Sequence, residues 1–405
     1  MSGAGDRVVV IGAGPVGLVL ALALAQQGVA VTLIEELGPD NILDQVPRAG
    51  TNHPATLEMY DRIGLLEKLL PRGIVAPVFH YHDRQEGLVA AFDHGLLKDD
   101  TRFPYVLQCE RIKVVEEALT LAAAHPLVTL RLATTFTGFV QDADGITALV
   151  SDREGRTDRI DGRYLVSAEG ARSIARKDLG IEFEGFTYPE RTLNIEVAYD
   201  FKRHGYADRN YISDPEEYSN LFHWLGPPER WRIHFPTSAG DDVDAITRPD
   251  ALQKRLQRFL GLGHAFDIVG HNLYVVHQRV AAKFRMGRAL LVGDAAHVNS
   301  PIGAMGMNSG VHDAINLADK LALLLRGEAD DATLDRYERQ RRHVAVTHTQ
   351  AQTIRNKRLL EERDPAVRRK TLDELRRTAE DPVRARAFLL RSSLIDSVRE
   401  AEAIA

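Results

Sequence analysis

The sequence predicts an α/β fold in which a parallel sheet flanked by helices carries an inserted antiparallel sheet and is followed by a helical tail. Three observations support this prediction. A β-branched run at residues 8–11 enters a glycine-rich turn and then a helix-competent segment at 18–27. A second short apolar run, at 289–292, ends in Gly-Asp. Between them, residues 192–236 alternate apolar and polar side chains, which is typical of an antiparallel sheet with one covered face.

The composition and charge limit the classes of function. The chain has 405 residues, of which 44% are hydrophobic, and its formal net charge is −6. Because there is no excess of basic residues, we expect neither nucleic acid nor a membrane surface as a partner. Apolar runs stay shorter than the about 18 residues of a membrane span. The one cysteine, Cys109, excludes an internal disulfide and predicts a cytoplasmic protein.

The first turn has the spacing of a dinucleotide-binding site. In a G-x-G-x-x-G turn the first glycine permits the tight turn, the second lets the backbone approach a pyrophosphate, and the third allows close packing of helix on strand. Glu35 ends a second predicted strand at about the distance expected for an acid that binds ribose hydroxyls. The turn comprises Gly12, Ala13, Gly14, Pro15, Val16 and Gly17.

The second glycine-rich region predicts another contact with the same ligand. Asp294, at a strand end, can accept hydrogen bonds from ribityl or ribose hydroxyls. The glycines that follow lead into a predicted helix over residues 310–326, whose N-terminus would favour an anionic group. A third motif, Glu-Gly-Ala-Arg-Ser, occupies residues 169–173.

Together these motifs identify a family resemblance. Over about residues 6–345 the chain resembles the single-component FAD-dependent aromatic hydroxylases, the class A flavoprotein monooxygenases with the para-hydroxybenzoate hydroxylase fold. The most specific match is the segment from residue 293 to Asn308. The middle motif departs from the family, because most members carry Asp where this chain has Glu169. The extra methylene leaves the choice between NADH and NADPH open.

The resemblance implies a division of the chain into three parts. A discontinuous Rossmann-type FAD-binding domain would comprise residues 1–75, 101–180 and 275–332. An inserted antiparallel-sheet substrate domain would comprise residues 76–100 and 181–274, and a helical C-terminal region residues 333–405. The basic cluster at 339–342 lies among acidic residues and predicts a solvated helix face.

The resemblance also implies which residues bind FAD. Besides the turn and Glu35, these are Glu36, Arg48, Arg111, Asp294, Gly306, Met307 and Asn308. Pro301 would line the site where oxygen reacts. NAD(P)H would bind transiently and reduce the flavin, O2 would add at flavin C4a, and the hydroperoxide would transfer oxygen to a small phenolic or heteroaromatic ring.

The substrate-contacting residues are harder to assign. A base or hydrogen-bond acceptor beside a phenol would help, because a free phenol has a pKa near ~10. Along a strand only one face can meet the flavin, so Tyr274 and His277 should point to opposite sides. The candidates are Tyr211, His223, His234, Tyr274, His277 and Met305.

Several alternatives remain open at this point. One is another flavoprotein of this fold, such as a halogenase or a reductase, and a second is a non-enzymatic redox sensor that binds FAD. The sequence has no H-E-x-x-H or C-x-x-C motif, so no metal site is expected. Apolar positions in the tail could cover the FAD-binding domain or a second subunit, which leaves a homodimer as one alternative.

Overall fold

The structure is a computed structural model that describes residues 7–43, 50–226 and 228–405. It contains the following strands: β1 (Val8–Ile11), β2 (Val31–Ile34), β3 (Thr51–Asn52), β4 (Ile74–Ala76), β5 (Val78–Asp83), β6 (Gly87–Asp93), β7 (Val106–Gln108), β8 (Val128–Arg131), β9 (Thr135–Gln141), β10 (Ile146–Ser151), β11 (Thr157–Gly162), β12 (Tyr164–Ser167), β13 (Phe183–Val197), β14 (Arg209–Ser213), β15 (Ser219–Trp224), β16 (Arg230–Pro236), β17 (Ile268–Ala281), β18 (Arg285–Met286), β19 (Ala289–Leu291) and β20 (His297–Val298).

The described chain also forms α-helices. They are α1 (Pro15–Gln26), α2 (Pro54–Arg62), α3 (Leu66–Leu69), α4 (Arg111–Ala124), α5 (Ile174–Asp178), α6 (Val243–Ile246), α7 (Pro249–Leu260), α8 (Met305–Leu325), α9 (Ala332–Val344), α10 (Ala351–Glu361), α11 (Pro365–Glu380), α12 (Pro382–Ser392) and α13 (Ile395–Ala403). A π-helical segment, Ala345–Gln350, joins α9 to α10. Within the described ranges, no helix is both long enough and apolar enough to cross a membrane.

The predicted parallel sheet is confirmed. Its six strands run in the order β18-β19-β12-β1-β2-β8, and all neighbouring pairs except β18–β19 are parallel. β1, β2, β12 and β19 are buried along their whole length, because α1, α4 and α8 pack on one face of the sheet and the small sheet β11-β10-β9 packs on the other. The glycine turn after β1 and the Gly-Asp motif after β19 therefore belong to one sheet.

The predicted antiparallel sheet is also confirmed. Eight strands run in the order β20-β17-β13-β16-β15-β14-β5-β6, with β5 and β14 as a parallel pair. One face is apolar and packs on α7 through residues that include Leu193, Leu221, Ile233 and Phe235. The other face carries polar and aromatic side chains and is turned toward the start of α8 and the tail. Two smaller sheets, β11-β10-β9 and β3-β7-β4, complete the sheets of the described chain.

The C-terminal region is helical, as predicted, and the breaks before α11 and α12 occur at prolines. Pro365 and Pro382 begin α11 and α12, each preceded by an aspartate that caps the helix. Leu372 and Leu389 pack into one cluster with aromatic residues of β5 and β6. The tail thus covers the antiparallel sheet of its own chain.

One predicted boundary is wrong. α8 begins at Met305 rather than at residue 310, and the preceding Ala304 adopts a left-handed backbone with φ of 58°. The two glycines in its first turns, at 306 and 310, have low helix propensity, so sequence alone favours a later start. The fold nevertheless requires glycine at 310 within the helix, because a Cβ there would come within 2.7 Å of Val16 in α1. The glycine permits close packing of the two helices.

Candidate active site

The three glycines of the first turn occupy three different environments. Gly12 has φ of +102°, and a Cβ there would lie 2.6 Å from the carbonyl oxygen of Ala168. A Cβ at Gly17 would lie 2.0 Å from the Gly12 oxygen, so only glycine lets α1 pack this closely. A Cβ at Gly14 would meet nothing within 4 Å. The space beside Gly14 is therefore open for a ligand, as a pyrophosphate cradle requires.

Glu35 lies at this turn, immediately after β2. Its Oε2 accepts a hydrogen bond from the backbone N–H of Ala13 at 2.7 Å, and its Oε1 accepts one from Leu37 at 2.9 Å. The carboxylate is half-buried, whereas its neighbour Glu36 is exposed. A fixed carboxylate at the end of the second strand suits hydrogen bonds from ribose hydroxyls.

The Gly-Asp motif after β19 packs against the glycine turn after β1. A Cβ at Gly293 would lie 3.1 Å from Val16, so the turn after β19 touches the glycine turn directly. Asp294 is exposed in this turn. One elongated ligand could therefore contact both motifs, although they are distant in sequence.

The N-terminus of α8 lies between the two sheets. By helix geometry the first backbone N–H groups, those of Met305, Gly306 and Met307, have no intrahelical acceptor. Asn308 is fully buried, and its side chain is committed to the fold: Nδ2 donates to Thr51 O at 2.8 Å and Oδ1 accepts from His53 N at 2.9 Å. The free N–H groups and the helix dipole suit the anionic edge of a reduced flavin.

The family resemblance implies that two arginines, Arg48 and Arg111, contact FAD. Arg111 is the first residue of α4 and is half-buried. Arg48 lies outside the described residues.

The open cradle at Gly14, the carboxylate of Glu35 and the helix N-terminus together fit FAD.

A buried ionic network holds the second motif in place. Asp313 of α8 has no solvent exposure, and its Oδ2 accepts from Gly293 N at 3.0 Å and from His297 Nε2 at 2.8 Å. Its Oδ1 accepts from Arg341 Nε at 2.6 Å. Burial acts to raise the pKa of Asp313, but the charges of His297 and Arg341 hold it below the usual value. Arg341 is thus buried, although its basic cluster had predicted a solvated face.

Glu169, at which the chain departs from the family, forms hydrogen bonds with its neighbours in the sequence. Its carboxylate accepts from the hydroxyls of Ser167 and Ser173 at 2.7 and 2.9 Å, and from the backbone N–H of Ile174 at 3.0 Å. The glutamate therefore stabilises the N-terminus of α5.

The first cavity lies between the antiparallel sheet and the loop before α8. It has about 340 Å³ of empty space, including its mouth, and is lined by Tyr188, Glu190, Thr192, Tyr218, Asn220, His234, Phe235, Pro236, Val276, Ser300, Pro301, Ile302 and Lys357. Both ring nitrogens of His234 are buried without a hydrogen-bond partner among the described residues, as is Oδ1 of Asn220. Burial first, and then the charge of Arg232, lower the pKa of His234 to about 3. The imidazole is therefore neutral at physiological pH.

The second cavity lies beside the first, on the same face of the sheet. It has about 250 Å³ of empty space and is lined by Phe79, Tyr81, Arg209, Tyr211, Gly303, Met305, Gln352, Asn356, Phe388 and Ser392. Tyr211 stands opposite Asn220 in the strand register, and Asn220 stands opposite His234. The structure thus brings Pro301 and His234 to one cavity and Tyr211 and Met305 to the next.

The structure does not bring the other candidate histidines to these cavities. His223 lies on the opposite face of β15, stacked on Trp231, with Nδ1 2.7 Å from Asp208. In β17, Val276 lines the first cavity, so His277 is turned to the other face, where it bonds Thr187 at 2.9 Å. Tyr274 shares the face of Val276 by strand alternation.

Two groups near the site were not anticipated from the sequence. His53 is fully buried, and its Nε2 donates to Gly303 O at 2.9 Å, which fixes the loop before α8. Arg209 is buried beside Tyr211. Strand alternation relative to Tyr211 could have placed Arg209 on the same face, but nothing in the sequence marks His53.

One group of side chains has the spacing of possible metal ligands. His343 lies near the end of α9 and His348 within the π-helical segment, and each bonds one oxygen of Glu400, at 2.5 and 2.7 Å. The pKa of Glu400 is lowered, first by the hydrogen bond from His343 and then by that from His348. This contact joins α13 to the end of α9.

Comparison with known proteins agrees with this geometry. Residues 6–352 match the family model described as FAD binding domain. Para-nitrophenol 4-monooxygenase of Pseudomonas sp. (strain WBC-3) is 34% identical over 387 residues, which cover 95% of this chain and 94% of that protein. The 3-(3-hydroxy-phenyl)propionate/3-hydroxycinnamic acid hydroxylase of Mycobacterium avium (strain 104) is 32% identical over 84% of this chain, which spans 58% of that longer protein.

A solved structure shows the same architecture throughout. The crystal structure of p-nitrophenol 4-monooxygenase from Pseudomonas putida DLL-E4 superposes with a TM-score of 0.90 and 31% identity, covering 98% of both chains. The shared sheets, the FAD-binding motifs and the similarity to these proteins indicate the same family. The chain therefore belongs to the FAD-binding-domain family of class A flavoprotein hydroxylases and is an FAD-dependent aromatic monooxygenase.

Proposed function

We propose that this enzyme hydroxylates a small, single-ring phenol with NAD(P)H and O2, and that the ring binds between the antiparallel sheet and the loop before α8. Relatives that act on para-nitrophenol and on hydroxyphenylpropionate support the substrate class. Bound FAD supplies the electron transfer and oxygen activation. The residues of the chain bind and orient the substrate and exclude water.

The proposal rests on His234, which lines the first cavity. An imidazole whose two buried nitrogens lack partners is unfavourable unless a ligand supplies one. A phenolic hydroxyl would do so, since neutral histidine offers one N–H donor and one acceptor nitrogen. Because the pKa of His234 is only about 3, it is too weak a base to deprotonate a phenol outright. Its role is to accept the phenolic hydrogen bond and so orient the ring.

The FAD-binding assignments belong to the same proposal. The glycine turn holds the pyrophosphate, Glu35 the ribose, and Asp294 with Arg111 the ribityl region, while the N–H groups at 305–307 face the flavin ring. Residues 1–75, 101–180 and 275–332 form the FAD-binding part, and 76–100 with 181–274 the substrate part. The single, buried Cys109 supports a cytoplasmic location.

Replacement of His234 tests this proposal. We expect His234→Ala to lower phenol hydroxylation by about 10- to 100-fold, the range for one lost hydrogen bond at a reacting group. FAD content should be unchanged, because the ring nitrogens of His234 make no hydrogen bond to the described residues of the FAD-binding motifs. The measurement is phenol-stimulated flavin reduction by NADH or NADPH, together with the yield of hydroxylated product relative to hydrogen peroxide.

His271→Asn provides the matched control. His271 lies on β17 of the same sheet and is exposed, so its replacement should leave turnover unchanged. Equal turnover in His234→Ala and the wild type would exclude the proposed contact. A wild-type enzyme whose reduction no phenol accelerates would overturn the substrate class.

A further inference from the structure

Two histidines and a glutamate meet where α13 packs on the end of α9. Nε2 of His343 bonds Oε1 of Glu400 at 2.5 Å, and Nε2 of His348 bonds Oε2 of the same carboxylate at 2.7 Å. The potential ligand atoms of the three side chains lie within 4.8 Å of one another. Two imidazole nitrogens and one carboxylate oxygen are a set of ligands that binds zinc in proteins. We call these three residues the His-Glu cluster.

The π-helical segment brings the two histidines to one side of the helix. In an unbroken α-helix, residues five apart point about 140° away from each other. A π-turn adds one residue to a helical turn, so residues five apart take the place of residues four apart, which share a face. The segment Ala345–Gln350 contains no glycine or proline that would account for the wider turn. Turns of this kind occur frequently at functional sites.

The His-Glu cluster is open to solvent. The side chains of His343, His348 and Glu400 are 37%, 20% and 47% exposed. In the described part of the chain, no lysine or arginine pairs with Glu400, and the adjacent Arg399 pairs with Asp100 instead. A cation can therefore reach the carboxylate without displacing a competing positive side chain, and water can complete its coordination.

Other contacts hold α13 against α9. Arg339 donates from Nη2 to the backbone oxygen of Ala405 at 2.9 Å, and Gln340 donates from Nε2 to that of Ile404 at 2.8 Å. These bonds fix the end of α13 on the helix that carries His343. Ligands on helices that are already held together lose little conformational freedom when they bind an ion.

We propose that the His-Glu cluster binds a divalent transition-metal ion, with Zn²⁺ as the best match, and that the ion clamps α13 to α9. Imidazole ligands favour Zn²⁺, whereas Mg²⁺ and Ca²⁺ prefer oxygen ligands. Tetrahedral zinc ligands at about 2.1 Å from the ion lie about 3.4 Å from one another. The nitrogen and oxygen atoms now 2.5 and 2.7 Å apart need to separate by less than about 1 Å to reach this arrangement.

This site is separate from the proposed phenol site. None of its three residues lines either cavity. The ion would therefore stabilise the C-terminal region of the fold, and this role goes beyond the proposed hydroxylation.

Titration of the untagged, FAD-loaded enzyme with metal ions tests the inference. The protein is treated with a chelator and gel-filtered, and Zn²⁺ or Mg²⁺ is then added. Calorimetry gives the stoichiometry and the dissociation constant, and the thermal midpoint gives the stabilisation. The variants are His348→Ala and Glu400→Gln, with His271→Ala as the control because His271 is exposed and lies outside the cluster.

We expect the wild type to bind one Zn²⁺ per chain. At free Zn²⁺ 100-fold above the dissociation constant, its thermal midpoint should rise by about 3 °C, and Mg²⁺ should have no such effect. His348→Ala should weaken Zn²⁺ binding by about 100-fold and Glu400→Gln by about 10-fold, whereas His271→Ala should match the wild type.

Each variant is compared with its own metal-free midpoint, so a loss of stability without metal does not hide the result. Glu400→Gln keeps a hydrogen-bond acceptor between the two rings and decides the question if His348→Ala does not fold. Equal affinity for Zn²⁺ in the wild type and the cluster variants would mean adventitious surface binding and would overturn the assignment. A wild type that binds no Zn²⁺, or that responds equally to Mg²⁺, would also overturn it.

Discussion

Asp313→Asn is expected to lower the free energy of unfolding by about 3–5 kcal/mol, the usual consequence of breaking a buried ion pair. The substitution keeps the shape of the side chain but leaves Arg341 buried without a counter-charge. It also weakens the acceptor for Gly293 N and His297, so the turn that carries Asp294 should loosen and FAD affinity should fall. The measurement is the midpoint of urea unfolding of the FAD-free protein, followed by tryptophan fluorescence.

The same helix offers the control. Asp319 of α8 pairs with Arg62, but both side chains are 40% or more exposed, and such pairs contribute less than about 1 kcal/mol. Asp319→Asn should therefore shift the midpoint little. The double replacement Asp313→Leu with Arg341→Met should recover part of the loss, because neither the carboxylate nor the guanidinium then stays buried, whereas Gly293 N and His297 still lose their acceptor. A midpoint for Asp313→Asn equal to that of Asp319→Asn would contradict the role of the buried network.

Arg341 shows what a charge pattern leaves undetermined. The cluster at 339–342 predicts a solvated face because its arginines lie among acidic residues such as Glu338 and Glu361. Arg341 is buried because α9 packs on α8. Its partner, Asp313, precedes it by 28 residues. Helical periodicity marks a face, but it does not identify the partner across it.

The cofactor motifs were predictable because their chemistry is local. The turn must pass close to a carbonyl group, pack against a helix and leave room for a phosphate. These three requirements need glycine at three fixed positions, so the motif can be recognised in the sequence. The meeting of Val16 with Gly293 follows once both runs are assigned to one parallel sheet.

The sheet face that we propose for the substrate was less predictable, because strand alternation gives two faces without saying which one is covered. His223 and His234 lie on adjacent strands and look equivalent in sequence. The register that places His223 against Trp231 and His234 against Asn220 depends on pairing among three strands. A shift of one residue would exchange their roles.

Gly14→Ala is expected to abolish FAD retention while leaving the FAD-free protein as stable as the wild type. Gly14 has an extended backbone, with φ of −69°, that any residue can adopt, and an added Cβ would meet no protein atom within 4 Å. The methyl group would instead fill the space proposed for the pyrophosphate. The measurements are the flavin absorbance after gel filtration and the thermal midpoint of the FAD-free protein.

Gly17→Ala should also lose FAD, but for a different reason. Its Cβ would lie 2.0 Å from the Gly12 oxygen, so α1 must move and the thermal midpoint of the FAD-free protein must fall. Gly240→Ala, in an open loop position where a Cβ also meets nothing within 4 Å, should change neither quantity. The contrast between the first two variants separates a ligand contact from a packing requirement within one turn. Full flavin content in Gly14→Ala would show that the pyrophosphate does not approach the backbone there.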